Sequence, residues 1–295
     1  MATLRAIRRR IKSVKNISQV TRAMEMLAAS KMRRAQLATL ASRAYAEKAR
    51  EVLTYVADQP GSSRILHPLL EERRERKNIA LIIMAGDRGL CGSFNANIFR
   101  MSMNFMREHA LPTKVVTVGR RARDFVLRRG MNLIGEFTGM SERPSFIDIG
   151  PIARIVIEEF TSGRVDEVYI AYTDFVNVIR QHPTVRRILP IRAEKATEAG
   201  TKTHAVYLYE PSPEELLASV LPRFTEVQIY QALLESVASE HSARMVAMRN
   251  ASDNAEDLIT NLTLAANKAR QTSITKEMLD IAGGAEALRQ ALAKA

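Results

Sequence analysis

The chain has 295 residues, 46% of them hydrophobic, which is enough for about two domains with a sizeable core. No apolar run approaches the roughly 20 residues of a membrane-spanning helix, and no apolar stretch follows the N-terminal arginines, so we expect neither a membrane span nor a secretory signal. The single cysteine, Cys91, excludes an internal disulfide, and no Cys/His cluster has zinc-site spacing. We therefore expect a reducing, cytoplasmic compartment, with no metal and no cofactor.

The net charge of +12 is unevenly distributed along the chain. Residues 1–59 hold thirteen Lys and Arg against four acidic residues, whereas residues 212–295 hold eight basic and eleven acidic ones. Opposite excesses at the two ends favour pairing between them, and the surplus positive charge favours an acidic partner.

The first predicted element is one long helix over residues 1–59. Residues 3–58 contain neither proline nor glycine, and apolar residues recur every three or four positions, as on one face of a helix. Small residues such as Ala28 and Ala35 would let another helix approach closely. The predicted apolar stripe is Leu4, Ile7, Ile11, Val14, Ile17, Val20, Met24 and Leu27.

The middle of the chain has a different pattern. After a linker at 60–77, residues 78–211 alternate short apolar runs with amphipathic segments, beginning with a continuous apolar run at 78–84. Such alternation predicts a Rossmann-like α/β domain with a mostly parallel sheet. Two final strands are expected near 168–172 and 185–191, and a last extended stretch near 204–209.

The last predicted element is a second long helix within residues 212–295. Ser212 and Pro213 have the character of an N-cap and a first helical residue. From Leu217 to Ala269, mostly apolar or small residues then follow alternating steps of three and four, the spacing of a heptad seam. Helices of this length and exposure need a partner. The predicted fold is an antiparallel coiled coil of the two terminal helices plus the inserted α/β domain.

A glycine-containing segment follows the first strand, where phosphate-binding loops are found. Gly86, Gly89 and Gly92 are spaced three apart and no lysine follows, which matches neither the dinucleotide fingerprint nor the P-loop. We interpret it as a tight, exposed turn in contact with a protein neighbour. A dinucleotide-binding enzyme with helical extensions remains an alternative function.

The arginine cluster at residues 8–10 allows a second alternative, a basic coiled coil that binds nucleic acid. The apolar periodicity runs through this cluster and no aromatic residues are interleaved with it, so an acidic protein partner is favoured. His241, on the seam, is expected to be packed or hydrogen-bonded, and Cys91 to be unreactive.

Three sequence blocks carry a specific family pattern. They are IKSVKNI at 11–17 with TRAMEMLAASKM at 21–32, DRGLCGSFN at 87–95, and NKARQTSITKEM at 267–278 with Gly284-Ala285. In these blocks, and in their order, the chain resembles the gamma subunit of F-type ATP synthases, and the resemblance covers essentially the whole chain.

The resemblance implies a non-catalytic rotor, one copy per complex, at the cytoplasmic face of the bacterial plasma membrane. Its coiled coil would lie within a ring of three alpha and three beta subunits, where the beta subunits carry out the chemistry. Its α/β domain would contact the epsilon subunit and the ring of c subunits in Fo. Contact with the membrane would be only through Fo, and no nucleic acid would be bound.

The resemblance also assigns roles to individual residues. It places Arg270, Gln271 and Thr275 against a loop of the beta subunit. It places Met24, Arg33 and Arg34 opposite the acidic lever segment of beta. A third group, Tyr207 and Glu210, would lie beside the c-ring and epsilon.

Overall fold

A computed structural model describes residues 4–57, 67–73, 75–140, 144–191 and 213–294 of the chain. Two long helices enclose an α/β domain in the sequence, as predicted. The helices are α1 (Leu4–Ala57), α2 (Phe94–His109), α3 (Arg120–Arg128), α4 (Ile149–Thr161) and α5 (Pro213–Lys294), with a short 3-10 helix at Pro68–Leu70. The strands are β1 (Ile79–Met84), β2 (Thr113–Val118), β3 (Asn132–Phe137), β4 (Glu167–Phe175) and β5 (Gln181–Leu189).

The chain forms two compact units. The first combines Met1–Leu27 with Val246–Ala295, and the second is Ala28–Met245. The two ends of the helix predicted at 1–59, the N-cap at Ser212 and the extended stretch at 204–209 lie outside the described residues.

The α/β domain contains a five-stranded sheet in the order β3-β2-β1-β4-β5. The pairs β1–β2, β1–β4 and β2–β3 are parallel, and β4–β5 is an antiparallel hairpin. The predicted mostly parallel sheet with a closing pair of strands is therefore confirmed. β1 is buried along its whole length because it is the central strand.

Alternate residues of β1 point into two different hydrophobic clusters, one on each face of the sheet. Leu81 and Ile83 pack with Ile98 of α2 and Val126 of α3. On the other face, the cluster combines α4 and α5 with the sheet and includes Ile82, Met84, Ile152, Val156, Phe160, Leu221, Ile229, Leu233 and Val237. The second face places α5 directly against the sheet, next to the site described below.

The heptad seam predicted in α5 is confirmed. Each of its sixteen positions from Leu217 to Ala269 is buried or half-buried, including the polar Gln231, His241 and Ser252. Between residues 232 and 242, however, every side chain of α5 is buried, so this part of the helix has no solvated face. Its second buried face belongs to the sheet-side cluster, which the seam spacing alone did not predict.

The apolar stripe predicted for α1 is only partly correct. Val14 is buried, but Ile17, Val20 and Leu27 are 53%, 58% and 63% exposed. The buried positions after Val14 are small residues. Thr21, Ala28 and Ala35 follow at intervals of seven, and Thr39 lies four residues after Ala35. Small residues allow close approach of helix backbones, and this close approach turns the larger aliphatic side chains outward.

One hydrogen bond fixes the antiparallel register of the helical pair in the first unit. Thr21 Oγ1 and Ser252 Oγ are 2.7 Å apart and buried. In an antiparallel pair, each residue towards the N-terminus of α1 corresponds to one residue towards the C-terminus of α5. Counted from Thr21 and Ser252, this register places Leu4, the first described residue of α1, level with Ala269. We call residues 270–294 the C-terminal overhang, since α5 continues there beyond the level of Leu4.

Candidate interaction surfaces and the crevice at the sheet edge

The strand order creates a crevice at the carboxyl ends of β1 and β4. These two strands are neighbours, but the connection from β1 leads to β2 on one side while β4 leads to β5 on the other. In open α/β sheets this switch point is where ligands usually bind. The glycine loop, residues 85–93, begins at this point directly after β1.

The glycine loop packs against α5 of the same chain. A Cβ atom on Gly86 would lie 2.8 Å from Glu240 Cδ, so a side chain at this position would displace the Glu240 carboxyl group. Arg244 Nη2 donates a hydrogen bond to Gly89 O at 3.3 Å. Gly86 is buried, Gly89 is half-buried and Gly92, with φ at +57°, is exposed. The predicted exposed turn is therefore wrong for Gly86, because the protein neighbour of this residue is the chain's own helix.

Asp87 ties the glycine loop to the ends of two further strands. Its carboxylate accepts hydrogen bonds from the backbone N–H of Arg120, at the start of α3, and of Gly139, just after β3. Both distances are close to 3 Å, at 2.9 and 3.0 Å. The loop is thereby held at the carboxyl edge of the sheet without any bound ligand.

Helix α5 fills the crevice with polar side chains directed at the sheet. Ser239 Oγ donates to Thr173 O in β4 at 3.1 Å, and Ser242 Oγ donates to Val178 O in the β4–β5 hairpin at 2.6 Å. These serines are fully buried. On this face of the sheet, the edge beside the loop is therefore occupied by the chain's own helix.

A buried ion pair lies between the two serine contacts and the glycine loop. Arg244 Nη2 donates to Glu240 Oε1 at 2.6 Å, and Arg244 Nη1 lies 3.1 Å from His241 Nδ1. Burial raises the pKa of Glu240, while the Arg244 cation opposes the shift. His241 is 5% exposed, which confirms that it is packed and hydrogen-bonded.

Cys91 belongs to the same region and has the character of a structural residue. It is buried, and Asn95 Nδ2 donates to its Sγ at 3.2 Å. Burial raises the pKa of the thiol, and the nearby Glu240 carboxylate adds to the shift. The reactive form of cysteine is the thiolate, so these effects support the prediction of an unreactive side chain.

The C-terminal overhang carries three of the residues assigned to beta contact. Every residue from Arg270 to Ala287 is exposed, including Gln271 and Thr275. Exposure alone does not single out these three positions, because neighbouring aliphatic side chains are exposed as well. The large ones are Ile274, Met278, Leu279 and Ile281, at 50%, 65%, 67% and 73%.

The other assigned residues lie on α1 or outside the described residues. Met24 is half-buried, whereas Arg33 and Arg34 are exposed and have no acidic partner among the ion pairs found in the described part of the chain. Arg34 Nη2 lies 3.4 Å from Ser30 Oγ in its own helix. Tyr207 and Glu210 are not among the described residues.

The described ranges hold neither a candidate metal centre nor a candidate membrane span. No group of three or more His, Cys, Asp or Glu side chains there could hold a metal ion. Likewise, none of the helices there is long and apolar enough to cross a membrane.

The polar contacts in the crevice could not have been found by motif searching. The local sequence of α5, ESVASEHSARM at 235–245, contains three serines and a Glu–Arg pair four residues apart. The sequence signals these contacts only indirectly. It places a run of short polar residues within a long helix, and glycines that allow a close neighbour in a loop elsewhere.

Two long helices joined through small residues, with an inserted α/β domain whose crevice is filled from within, define a stalk-type structural subunit. The chain matches the protein-family model described as ATP synthase over residues 3–288. It therefore belongs to the ATP synthase gamma-chain family, as a non-catalytic subunit of the central stalk.

Individual relatives and solved structures agree with this family. The ATP synthase gamma chain of Dehalococcoides mccartyi strain CBDB1 is 50% identical over 288 residues, covering 98% of this chain and all of the relative. That of Chloroflexus aurantiacus strain J-10-fl is 48% identical over 291 residues, covering 98% and 99%.

Two solved assemblies have a similar fold. The mitochondrial ATP synthase of Euglena gracilis, solved as OSCP/F1/c-ring, gives a TM-score of 0.67 at 19% identity, covering 97% of this chain and 94% of that one. The central stalk/c-ring of Tetrahymena thermophila gives 0.60 at 25% identity, covering 79% and 99%.

Proposed function

We propose that this chain is the rotor that couples turning of the c-ring in Fo to conformational cycling of the catalytic beta subunits. Proton flow would turn the c-ring, and the chain would turn with it. As the chain turns, its asymmetric surface would favour a different state of each beta subunit at each angle. The chain itself would hold no cofactor, and one copy would serve three alpha and three beta subunits.

The observation that carries this proposal is the C-terminal overhang. Among the described residues no helix lies level with it, yet it exposes Ile274, Met278 and Ile281 on a helix. A series of exposed aliphatic residues along a helix is typical of a surface that other proteins cover. A surrounding ring of subunits would supply that cover.

The polar residues of the overhang would provide contacts that form and break with each step. Arg270 directly follows the seam residue Ala269 and is exposed, as are Gln271 and Thr275. Charge-assisted hydrogen bonds to a beta loop are strong without requiring permanent burial. Such contacts suit an interaction that must be remade at every step.

The outer surface of α1 offers two further kinds of contact. Arg33 and Arg34 are exposed on a strongly basic helix, and with Met24 they would face the acidic lever segment of beta. Ile17, Val20 and Leu27 are exposed aliphatic side chains that the small-residue seam directs away from α5. Both features support enclosure of α1 by other subunits.

The finer assembly follows from the same proposal. Tyr207 and Glu210 would contact the c-ring and epsilon subunit, and the chain would reach the membrane only through Fo at the cytoplasmic face. The proposed domain limits are 1–59 and 212–295 for the two stalk helices, with the linker 60–77 and the α/β domain 78–211 between them.

The proposal is tested by replacing Arg270 with leucine and reconstituting the full ATP synthase. We expect the isolated chain to keep its helical content, because Arg270 is exposed, while the ATPase rate or the assembly of the complex falls at least tenfold, the loss of about 1.4 kcal/mol. Arg107→Leu, an exposed arginine in the last turn of α2, serves as control and should change little. A fully assembled and active Arg270→Leu complex would remove this residue from the working contacts.

A further inference from the structure

The crevice at the switch point is filled by a helix where related folds place a small ligand. Three side chains of α5 enter it, Ser239, Ser242 and Arg244. They donate hydrogen bonds to three backbone carbonyl groups, those of Thr173, Val178 and Gly89. Helix and sheet are therefore joined through main-chain acceptors in β4, in the β4–β5 hairpin and in the loop after β1.

The loops that offer these acceptors are themselves held in place. In the β4–β5 hairpin, Asn177 Oδ1 accepts from the N–H groups of Ile179 and Arg180 at 2.9 and 2.7 Å. Gln181 Nε2 adds a second donor to Val178 O at 2.7 Å. The glycine loop is held in turn through the Asp87 carboxylate described above. The acceptors thus cannot follow a sliding helix without disturbing the sheet edge.

The donors on α5 are short, with the exception of one buried arginine. Ser239 and Ser242 are fully buried, and a serine hydroxyl has only one rotatable side-chain bond before the donor. Such a contact transmits a displacement directly, whereas a long flexible side chain would absorb part of it. The absence of a Cβ on Gly86 allows the helix to come this close to the loop.

Charges from three elements surround the joint. Glu240 and Arg244 belong to α5 and Asp87 to the glycine loop. Lys31 of α1 acts electrostatically on Glu240 and favours its ionised form. The Glu240–Arg244 pair lies within α5 and holds the Arg244 guanidinium in place, and that guanidinium in turn donates to Gly89 O of the loop.

We propose that the switch-point crevice is a mechanical joint, with Ser239, Ser242 and Arg244 as positioning residues that lock the α/β domain to α5 against rotation. This inference rests on the proposed rotor function. α5 is a single helix from Pro213 to Lys294, so a torque received by the α/β domain passes through this joint into the helix. The joint takes the place of the nucleotide site of similar sheets.

The test weakens the joint and then restores it with a covalent bond. The chain carries Cys91→Ala, Ser239→Ala, Val178→Cys and Ser242→Cys, and each preparation is divided in two. One half is oxidised with copper–phenanthroline before assembly with the other subunits, to form a disulfide between positions 178 and 242, which are in hydrogen-bond contact. The ATPase rate and ATP-driven proton uptake into vesicles are then measured on the complete enzyme.

We expect the untreated half to keep its ATPase rate within a factor of two while the ratio of protons moved to ATP hydrolysed falls at least twofold. The bridged half should regain the ratio of the unmodified chain, because a covalent bond replaces the lost hydrogen bonds. Thr225→Val is the control, since it removes a buried hydroxyl that donates to Leu221 O within α5 and should leave the ratio unchanged.

Two results would overturn the joint. One is an unchanged ratio in the untreated half, and the other is a bridged half that stays uncoupled or loses its ATPase activity, since helix and loop would then have to separate during turnover. A failure of the rotor proposal looks different. In that case the unmodified chain itself would not support proton uptake in the assembled complex.

Discussion

Replacing Arg244 by methionine would remove the cation that faces Glu240 while keeping a side chain of similar length. Glu240 is 3% exposed, so its carboxylate has no access to water that could replace the lost partner. Breaking a buried ion pair by removing one member typically costs about 3–5 kcal/mol. Lys31 still favours the charged carboxylate and Asp87 opposes it, so we expect a loss of about 3 kcal/mol in the free energy of unfolding at neutral pH.

The loss should depend on pH in a defined direction. Burial raises the pKa of Glu240, and without Arg244 nothing of equal strength opposes that shift. A carboxyl group whose folded pKa is raised binds its proton more tightly in the folded state, so stability falls as pH rises from the ordinary pKa towards the folded one. The Arg244→Met chain should therefore lose least near about pH 5 and most near about pH 8.

The assay is urea unfolding of the purified chain, followed by circular dichroism in the far ultraviolet at both pH values. Arg22→Met is the matched control, since Arg22 also pairs with a glutamate of α5, Glu256, but its side chain is 70% exposed. Its loss should not exceed about 0.5 kcal/mol. Adding Glu240→Gln to Arg244→Met should recover most of the stability. An equal loss at both pH values, or one below about 1 kcal/mol, would refute the reasoning.

Three further outcomes are expected. Leu262→Asp should lower the free energy of unfolding by about 2 kcal/mol in the same urea assay, because the half-buried Leu262 is level with Ile11 in α1. Its control is Leu264→Asp, which should change the free energy by less than about 0.5 kcal/mol because Leu264 is 64% exposed. Burial opposes ionisation of Asp166, but hydrogen bonds and the Arg73 cation outweigh it and lower the pKa of the carboxyl group. Asp166→Asn should therefore lower the free energy of unfolding by about 1–3 kcal/mol at neutral pH. In urea titrations this difference should shrink as the pH falls through the depressed pKa. Calorimetry should detect no binding of ATP or NAD, and a micromolar site abolished by Gly89→Trp would contradict the filled crevice.

Much of the fold could be read from the sequence because each element has a strong local signal. The length of α1 follows from the absence of Pro and Gly, and the order of strands and helices in the α/β domain follows from its apolar runs. The seam of α5 follows from its three-four spacing, and it is correct even at the polar His241 and Ser252. These signals depend on near neighbours in the chain, which is why periodicity captures them.

The candidate sites were less accessible to sequence reasoning. The beta-contact residues Arg270, Gln271 and Thr275 rest on a resemblance, and their exposure is shared with all their neighbours. They therefore stay predictions until the Arg270→Leu complex is measured. The spacing of the glycine loop distinguishes it from phosphate-binding loops, and that distinction stays a prediction. The atoms that a Cβ on Gly86 would meet lie 154 residues further along the chain, in Glu240.

The sequence by itself determined the two long helices, the inserted α/β domain, the seam of α5 and the membership in the family. Only the tertiary structure decided which residues of α1 form the buried seam and what occupies the crevice of the sheet. In α1, aliphatic Ile17, Val20 and Leu27 were the natural candidates from periodicity, yet Thr21 and Ala28 are buried instead. The physical reason is that burial depends on how closely the partner backbone approaches, and that distance is set by the two helices together and by the sheet against which α5 packs.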